Sequence, residues 1–241
     1  VNLTSGTGSQ GNANLQPLRA YSYDLSLEKY FGPTSYVSAA AFYKKVDGFI
    51  YNVTRSDVPI VFPDGRTALF DITRPENGDD GKIKGFEVGY NQFFDFLPGL
   101  LSGLGIQANY TYVDSNVANP FAGNNPNAPS SLPLEKLSKH SYNLIGLYEK
   151  GPVTARVAWN WRSSYLDATT GSGANGEAQY AKPYASLDAS LNLNLTKNLA
   201  VSIDAVNINN RMNVLYIGTP SAPLQYQLND RRFGASIRVL Y

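Results

Sequence analysis

An all-β, antiparallel transmembrane β-barrel is predicted by three features: apolar and polar residues alternate over stretches of ten or more, aromatics are abundant, and the connections sort into short and long. The clearest alternation puts Val153, Ala155, Val157, Trp159 and Trp161 on one side and Thr154, Arg156, Ala158 and Asn160 on the other. It returns where Ala185, Leu187, Ala189, Leu191, Leu193 and Leu195 interleave with Ser186, Asp188, Ser190, Asn192 and Asn194. An apolar face opposed by a small-polar and charged one suits lipid outside and a polar interior. The residues expected to meet lipid are Val153, Ala155, Val157, Trp159, Leu187, Leu191, Leu193, Phe233, Ile237 and Val239.

Composition narrows the classes. Seventeen Tyr, eleven Phe and two Trp against one Met and no Cys favour strands and membrane-interface girdles over a Leu/Met helical core. Without Cys there is neither a disulfide nor thiolate chemistry. A formal charge of +1 from 20 basic and 19 acidic residues leaves no footprint for nucleic acid. No run of about 18 consecutive apolar residues supports a transmembrane helix. Barrel strands escape that test, because every second side chain faces water. No signal-peptide pattern opens the chain at Val1, so a mature chain or a piece of a longer one is expected.

Nine strands are expected. Residues 1–19, rich in Gly, Ser, Asn and Thr, read as an extracellular loop, and 20–241 as barrel. The first strand (about 20–31) sets Tyr21, Tyr23, Leu25 and Leu27 against Ser22, Asp24, Ser26 and Glu28. The second (about 36–51) is blurred by Ala39, Ala40 and Ala41, which leaves its faces unassigned. A polar connection with Pro59, Pro63 and Pro75 precedes the third (about 82–97), where Phe86, Val88, Tyr90, Phe94 and Phe96 oppose Gly85, Glu87, Gly89 and Asn91. The remaining six are placed at about 104–115, 139–149, 153–166, 184–196, 199–208 and 229–241. Connections then run short, long, short, long in sequence, as the periplasmic turns and outer loops of bacterial barrels do. Nine is an odd count, whereas single-chain bacterial barrels have even numbers, so further strands are expected in an N-terminal part outside this chain.

The chain resembles the C-terminal part of TonB-dependent outer-membrane receptors. The resemblance is carried by Gly11 to Leu18 leading into Tyr21 to Glu28, by Ala41 to Ile50, by Ile83 to Tyr90 with its Gly85-Phe86-Glu87-Val88-Gly89 core, and by Asp204 to Asn210. It departs from the family pattern at Ala13 and Leu18. Leu137 to Leu144, Tyr148 to Pro152 and Trp159 to Ser163 resemble a Caulobacter-like and Xanthomonas-like subgroup associated with carbohydrate uptake. The resemblance implies about nine strands of a 22-stranded barrel in a bacterial outer membrane, importing a nutrient, with a siderophore as the other substrate class. Implied partners are outer-membrane lipid, an N-terminal remainder carrying a plug and the other strands, the TonB–ExbB–ExbD complex acting through that plug, and a small-molecule ligand. Tyr241 stands where the barrel-assembly machinery reads a terminal aromatic, usually Phe. Neither a plug nor a TonB-contacting segment is read in this chain. A passive porin-like channel and a soluble sugar-binding β-sandwich are the competing classes; the latter would bury the apolar residues between stacked sheets.

No enzyme activity, cofactor or metal is expected. Gly6 to Gly11 and Gly171 to Gly176 match G-x-G-x-x-G, but neither follows a buried parallel strand or opens a helix, so both read as loops. His140, the single histidine, reads as a polar strand-end residue. Asp71, Asp79 and Asp80 lack the spacing of a calcium loop. Ligand contact is assigned to Trp161, Arg162, Tyr165 and Asp167 at the end of the sixth strand and to Tyr216, Gln225 and Tyr226 in the last loop. Aromatic faces with polar handles suit sugars. Interface-girdle residues are the alternative for the aromatics among them.

Overall fold

The computed structural model describes residues 1–78, 80–119, 129–169 and 178–239. Its strands are, in chain order, β1 (Thr7–Ser9), β2 (Arg19–Tyr30), β3 (Tyr36–Asp47), β4 (Ile50–Val61), β5 (Thr67–Asn77) and β6 (Gly81–Phe93). A 3-10 turn at Gly99–Gly103 leads to β7 (Leu104–Ala118), β8 (Ser131–Leu132), β9 (His140–Lys150), β10 (Val153–Arg162), β11 (Tyr165–Ala168) and β12 (Gln179–Ala181). The last five are β13 (Tyr184–Asn194), β14 (Leu199–Val206), β15 (Asn213–Ile217), β16 (Pro223–Gln227) and β17 (Arg232–Val239). No α-helix occurs among the described residues.

All nine expected strands are present, as β2, β3, β6, β7, β9, β10, β13, β14 and β17, and they lie side by side in one sheet in that order. Every pairing from β7 to β17 along it is antiparallel. The short connections are tight. Val153 pairs with Lys150 across Gly151-Pro152, and Gly151 takes φ +58°, the left-handed angle that a two-residue hairpin turn needs and glycine supplies.

The long connections differ from the expected loops. Residues 50–77 form the hairpin β4–β5, with β1 added in parallel on β5. The second strand therefore ends at Asp47, not Tyr51: Gly48 turns the chain at φ +78° and Ile50 starts the hairpin. The sixth strand ends at Arg162, not 166. Its continuation becomes β11, the first member of a four-stranded sheet ordered β11–β12–β15–β16. That sheet occupies segments expected to be loops, because its strands are only three to five residues long, too short to show a period. Tyr241, Asp79 and the segment Gly171 to Gly176 lie outside the described residues.

The chain divides into two compact units. The first comprises Val1–Ser22, Lys44–Ile83 and Asn116–Leu132. It buries Val46, Phe70, Ile72, Val117 and Leu132, and Gly8, in β1, packs where a Cβ would meet Val1 and Ile72 at 2.7 and 2.9 Å. No helix opens after Gly6 to Gly11; Thr7–Ser9 is β1, the edge strand paired with β5. The second unit comprises Tyr23–Tyr43, Lys84–Ser115 and Pro133–Tyr241. It carries most of the wall and the β11–β16 sheet, around Ile145, Ala158, Leu166, Ala181 and Tyr216.

The structure assigns the faces of β3. Val37 and Tyr43 are exposed with Ala39 and Ala41 between them, and Tyr43 meets Tyr23 of β2 at 6.5 Å. On the other face, Phe42 and Ser38 pack against Gly85 and Gly89 of β6.

Candidate functional site: two faces of the wall and its long-connection end

Register turns the alternation of single strands into two continuous surfaces. On one, Val153 faces Leu193, Ala155 faces Leu191 and Trp159 faces Leu187; beyond them Val201 faces Ile237 and Ala205 faces Phe233. Toward the other edge this band continues through Leu144, Tyr142, Ala108 and Ile106. These apolar groups are not covered: Val157, Phe233 and Ile237 are 51, 71 and 72% exposed. A soluble sandwich would hide them under a second layer.

The opposite face is polar and internally bonded. Asn143 donates to Asn109 Oδ1 at 2.9 Å, Asn160 to Asp188 Oδ2 at 3.2 Å, and Ser202 to Asn192 Oδ1 at 2.5 Å. With Glu87, Gln107 and Arg156, the amides of Asn109, Asn143 and Asn160 border a concavity of about 400 Å³. Small polar side chains in facing register can satisfy one another and still present spare donors and acceptors to a solute or a protein surface.

At the long-connection end the proposed ligand residues separate. Trp161 shares the apolar face: its ring stacks on Tyr142 at 5.1 Å, and Tyr142 Oη accepts from Trp159 Nε1 at 3.4 Å. Arg162, one residue on, points the other way. Its Nε donates to Ser138 Oγ at 3.1 Å, and its guanidinium centre lies 3.8 Å above the Tyr165 ring. Asp167 accepts from Lys136 Nζ and, at 2.9 Å, from Gln179 Nε2. Tyr216 is buried and stacks on Tyr180 at 5.6 Å; burial raises both phenols above their ordinary pKa, with Tyr216 adding to the effect on Tyr180. Gln225 and Tyr226 lie on β16, the exposed edge of that sheet, opposite Leu215 and Val214.

Arg162, Tyr165, Asp167 and Tyr216 thus belong to one region built on β10 and the four-stranded sheet, whereas Trp161 belongs with the apolar band. Beside them Asp114, Lys139, Ser164, Tyr165, Leu166 and Tyr180 border a cleft of about 360 Å³, the size of a small-molecule site. Lys136, Ser138, Gln179 and Tyr180 were not singled out in the sequence, since their partners are 12 to 36 residues away and no local pattern links them. The polar face was legible in the alternation, yet only the register shows which amides meet. His140 packs against Tyr110 and Tyr112 on the apolar side, its Nδ1 2.8 Å from Tyr110 Oη.

Comparison with known proteins decides the family. A family model described as "TonB dependent receptor-like, beta-barrel" matches residues 2–210. The chain belongs to this family of bacterial outer-membrane receptors. Among curated proteins compared by sequence, none matches. Among solved structures, this receptor barrel superposes on the siderophore receptor PirA of Acinetobacter baumannii with TM-score 0.62 at 15% identity, over 96% of this chain and 33% of PirA. A ferric enterobactin receptor (PfeA) mutant of Pseudomonas aeruginosa gives 0.64 at 14% identity, over 98% and 34%. The copper transporter OprC gives 0.63 at 14% identity, over 98% and 34%. The chain thus spans about a third of the length of each.

Proposed function

We propose that this chain forms part of the wall of an energised outer-membrane importer whose cargo is a small hydroxyl-rich molecule of carbohydrate type, first held at the long-connection end. The cluster around Tyr165 carries the reading. Its charges are engaged within the protein, Arg162 on the Tyr165 ring, Lys136 on Asp167 and Lys139 on Asp114, so the groups left for a ligand are aromatic faces, hydroxyls and amides. Such a set suits a neutral polyol better than a strongly anionic complex. The nutrient would pass along the amide-lined face, past a plug supplied by the remainder of the receptor and driven by TonB–ExbB–ExbD. Tyr241 would serve the barrel-assembly machinery.

Uptake of labelled oligosaccharides and of a ferric catecholate by cells carrying the intact receptor tests this. Sugar uptake should saturate and stop when the proton-motive force is collapsed, and Tyr165→Ala should raise half-saturation about tenfold, equivalent to one lost aromatic contact at ~1.4 kcal/mol. Unsaturable uptake insensitive to uncoupler would mean a passive channel. Uptake of the ferric complex alone would transfer the assignment to siderophores.

A further inference from the structure

One short connection of the wall is unlike the others. β2–β3, β9–β10 and β13–β14 are joined by two to five residues with at most one large apolar group each, Phe31 and Leu195. Between β6 and β7 lie ten residues, 94–103, and five of them are Phe94, Phe96, Leu97, Leu100 and Leu101. From Phe96 to Leu104 the chain carries no ionisable side chain. Leaving that much apolar surface in water is unfavourable, yet Phe96, Leu100 and Leu101 are 72, 74 and 52% exposed.

The turn is ordered and lies against the apolar side of the wall. Phe94 N–H donates to Leu104 O at 2.8 Å, which closes the hairpin, and the N–H groups of Leu97 and Leu101 donate to Phe94 O and Pro98 O at 2.9 and 3.3 Å. Leu104 N–H donates to Leu101 O. Lys150 pairs with Val153 and so belongs to the outward row of β9; from there its Nζ donates to Gly99 O at 2.6 Å and to Ser102 Oγ. Gly103 packs so closely that a Cβ would lie 2.7 Å from that of Lys150. Irregular backbone approaches hydrocarbon only when its polar groups are satisfied, and the carbonyls of Phe94, Pro98, Gly99 and Leu101 all are.

The height of the wall leaves room for it. On β7 the outward row Leu104, Ile106, Ala108, Tyr110 and Tyr112 stops at Asp114. From Leu104 to Tyr112 the strand covers ~27 Å, or ~20 Å along the membrane normal at a tilt of ~40°. A barrel's lipid-facing band is ~25 Å tall, so ~5 Å of apolar surface has to come from beyond one end of the row. Charge closes the Asp114 end, whereas uncharged residues continue past Leu104 into the turn.

We propose that the turn from Phe96 to Leu101 is a foot set among the acyl chains of the leaflet at the short-connection end, where it completes the apolar band and fixes how deep the barrel sits. Its partner is the uncharged upper part of the phospholipid chains, which Phe96, Leu100 and Leu101 meet without any charged contact. Lys150 positions the turn by holding Gly99, while its methylene stem stays on the apolar side. The inference rests on the membrane seating of the wall, and not on the identity of the cargo.

Bromine quenching of the intact receptor in phosphatidylcholine vesicles tests it, read as the emission that a new tryptophan adds to the parent. The added emission of Leu101→Trp should be quenched by lipid brominated near the headgroup more than by lipid brominated near the chain ends, and should be untouched by aqueous iodide. Val157→Trp, mid-strand on the apolar face, should show the reverse depth order, and Asn192→Trp, on the polar face, should respond to neither lipid. Lys150→Gln, added to Leu101→Trp, should cut the bromine quenching, and Lys150→Arg should preserve it. Iodide quenching of Leu101→Trp beside bromine quenching of Val157→Trp would overturn the foot and leave the seating of the wall intact. Absence of bromine quenching at both positions would remove the seating, and the foot with it. Shielding of Leu101→Trp from iodide and bromine alike would mean that a protein surface, a second copy of the chain included, covers the turn, and would overturn the proposal.

Discussion

Val157→Arg tests the lipid-facing assignment most directly. Val157 is mid-strand on β10, between Gly146 of β9 and Ala189 of β13, and its side chain meets no second layer. Arg156, one residue before it, already projects from the polar face, so the backbone at this height accepts an arginine when it faces water. Moving that side chain by one position places it in hydrocarbon. An arginine near the bilayer midplane of a barrel costs ~2–4 kcal/mol, and the lost valine surface adds ~1 kcal/mol. The sum, ~3–5 kcal/mol, lowers the folding equilibrium by two to four decades at ~1.4 kcal/mol per decade. The assay is urea unfolding of the intact receptor in phosphatidylcholine vesicles, followed by fluorescence; Trp159 and Trp161, the two tryptophans of this chain, both sit on β10. Val157→Leu should be nearly neutral. Were Val157→Arg to unfold no more readily than Val157→Leu, hydrocarbon would not be what covers this face.

Two further outcomes follow from the packing and the charges. Gly85→Ala would put a Cβ 2.1 Å from the Tyr112 carbonyl oxygen and 2.7 Å from the Phe42 ring, so it should destabilise the wall by ~1–3 kcal/mol in the same unfolding assay; Gly146→Ala, with open space around it, should not. Glu76 accepts from Arg55 at 2.8 and 2.9 Å and from Arg74 at 2.6 Å, and these guanidinium groups, Arg55 first, hold its carboxyl down to about 2. A folded-state pKa below the unfolded one adds stability that is complete above the ordinary glutamate value of about 4.3 and is lost as pH falls from there toward 2. The protection of amides across β4 and β5, relative to their intrinsic exchange at each pH, should therefore fall over that acid interval, and Glu76→Gln should flatten the dependence.

How far the sequence could be read depended on the length of each element. Strands of eight or more residues with one face in lipid impose period-two patterning, and β2, β6, β7, β9, β10, β13, β14 and β17 were each placed within a few residues by it. The β4–β5 hairpin was hidden by its prolines, which normally argue against a strand. Pro59 is tolerated because β4 is the outer strand of its sheet. Pro75 lies beyond the register of β1, which pairs with residues 71–73 only, and its carbonyl is met by Asn12 Nδ2 at 3.0 Å. Neither fact is local to the hairpin.

The ligand region shows the same limit. Arg162, Tyr165 and Asp167 stood out as charged and aromatic residues past the end of a clear strand. Their partners Ser138, Lys136 and Gln179 reach them only through the pairing of separate segments. Alternation along one strand determined that this chain has an apolar face and a polar face, because a pleated backbone sends neighbouring side chains to opposite sides whatever surrounds it. Which strands adjoin, and which face of β3 meets Gly85, were decided by the tertiary structure, since those depend on register between segments far apart in the chain.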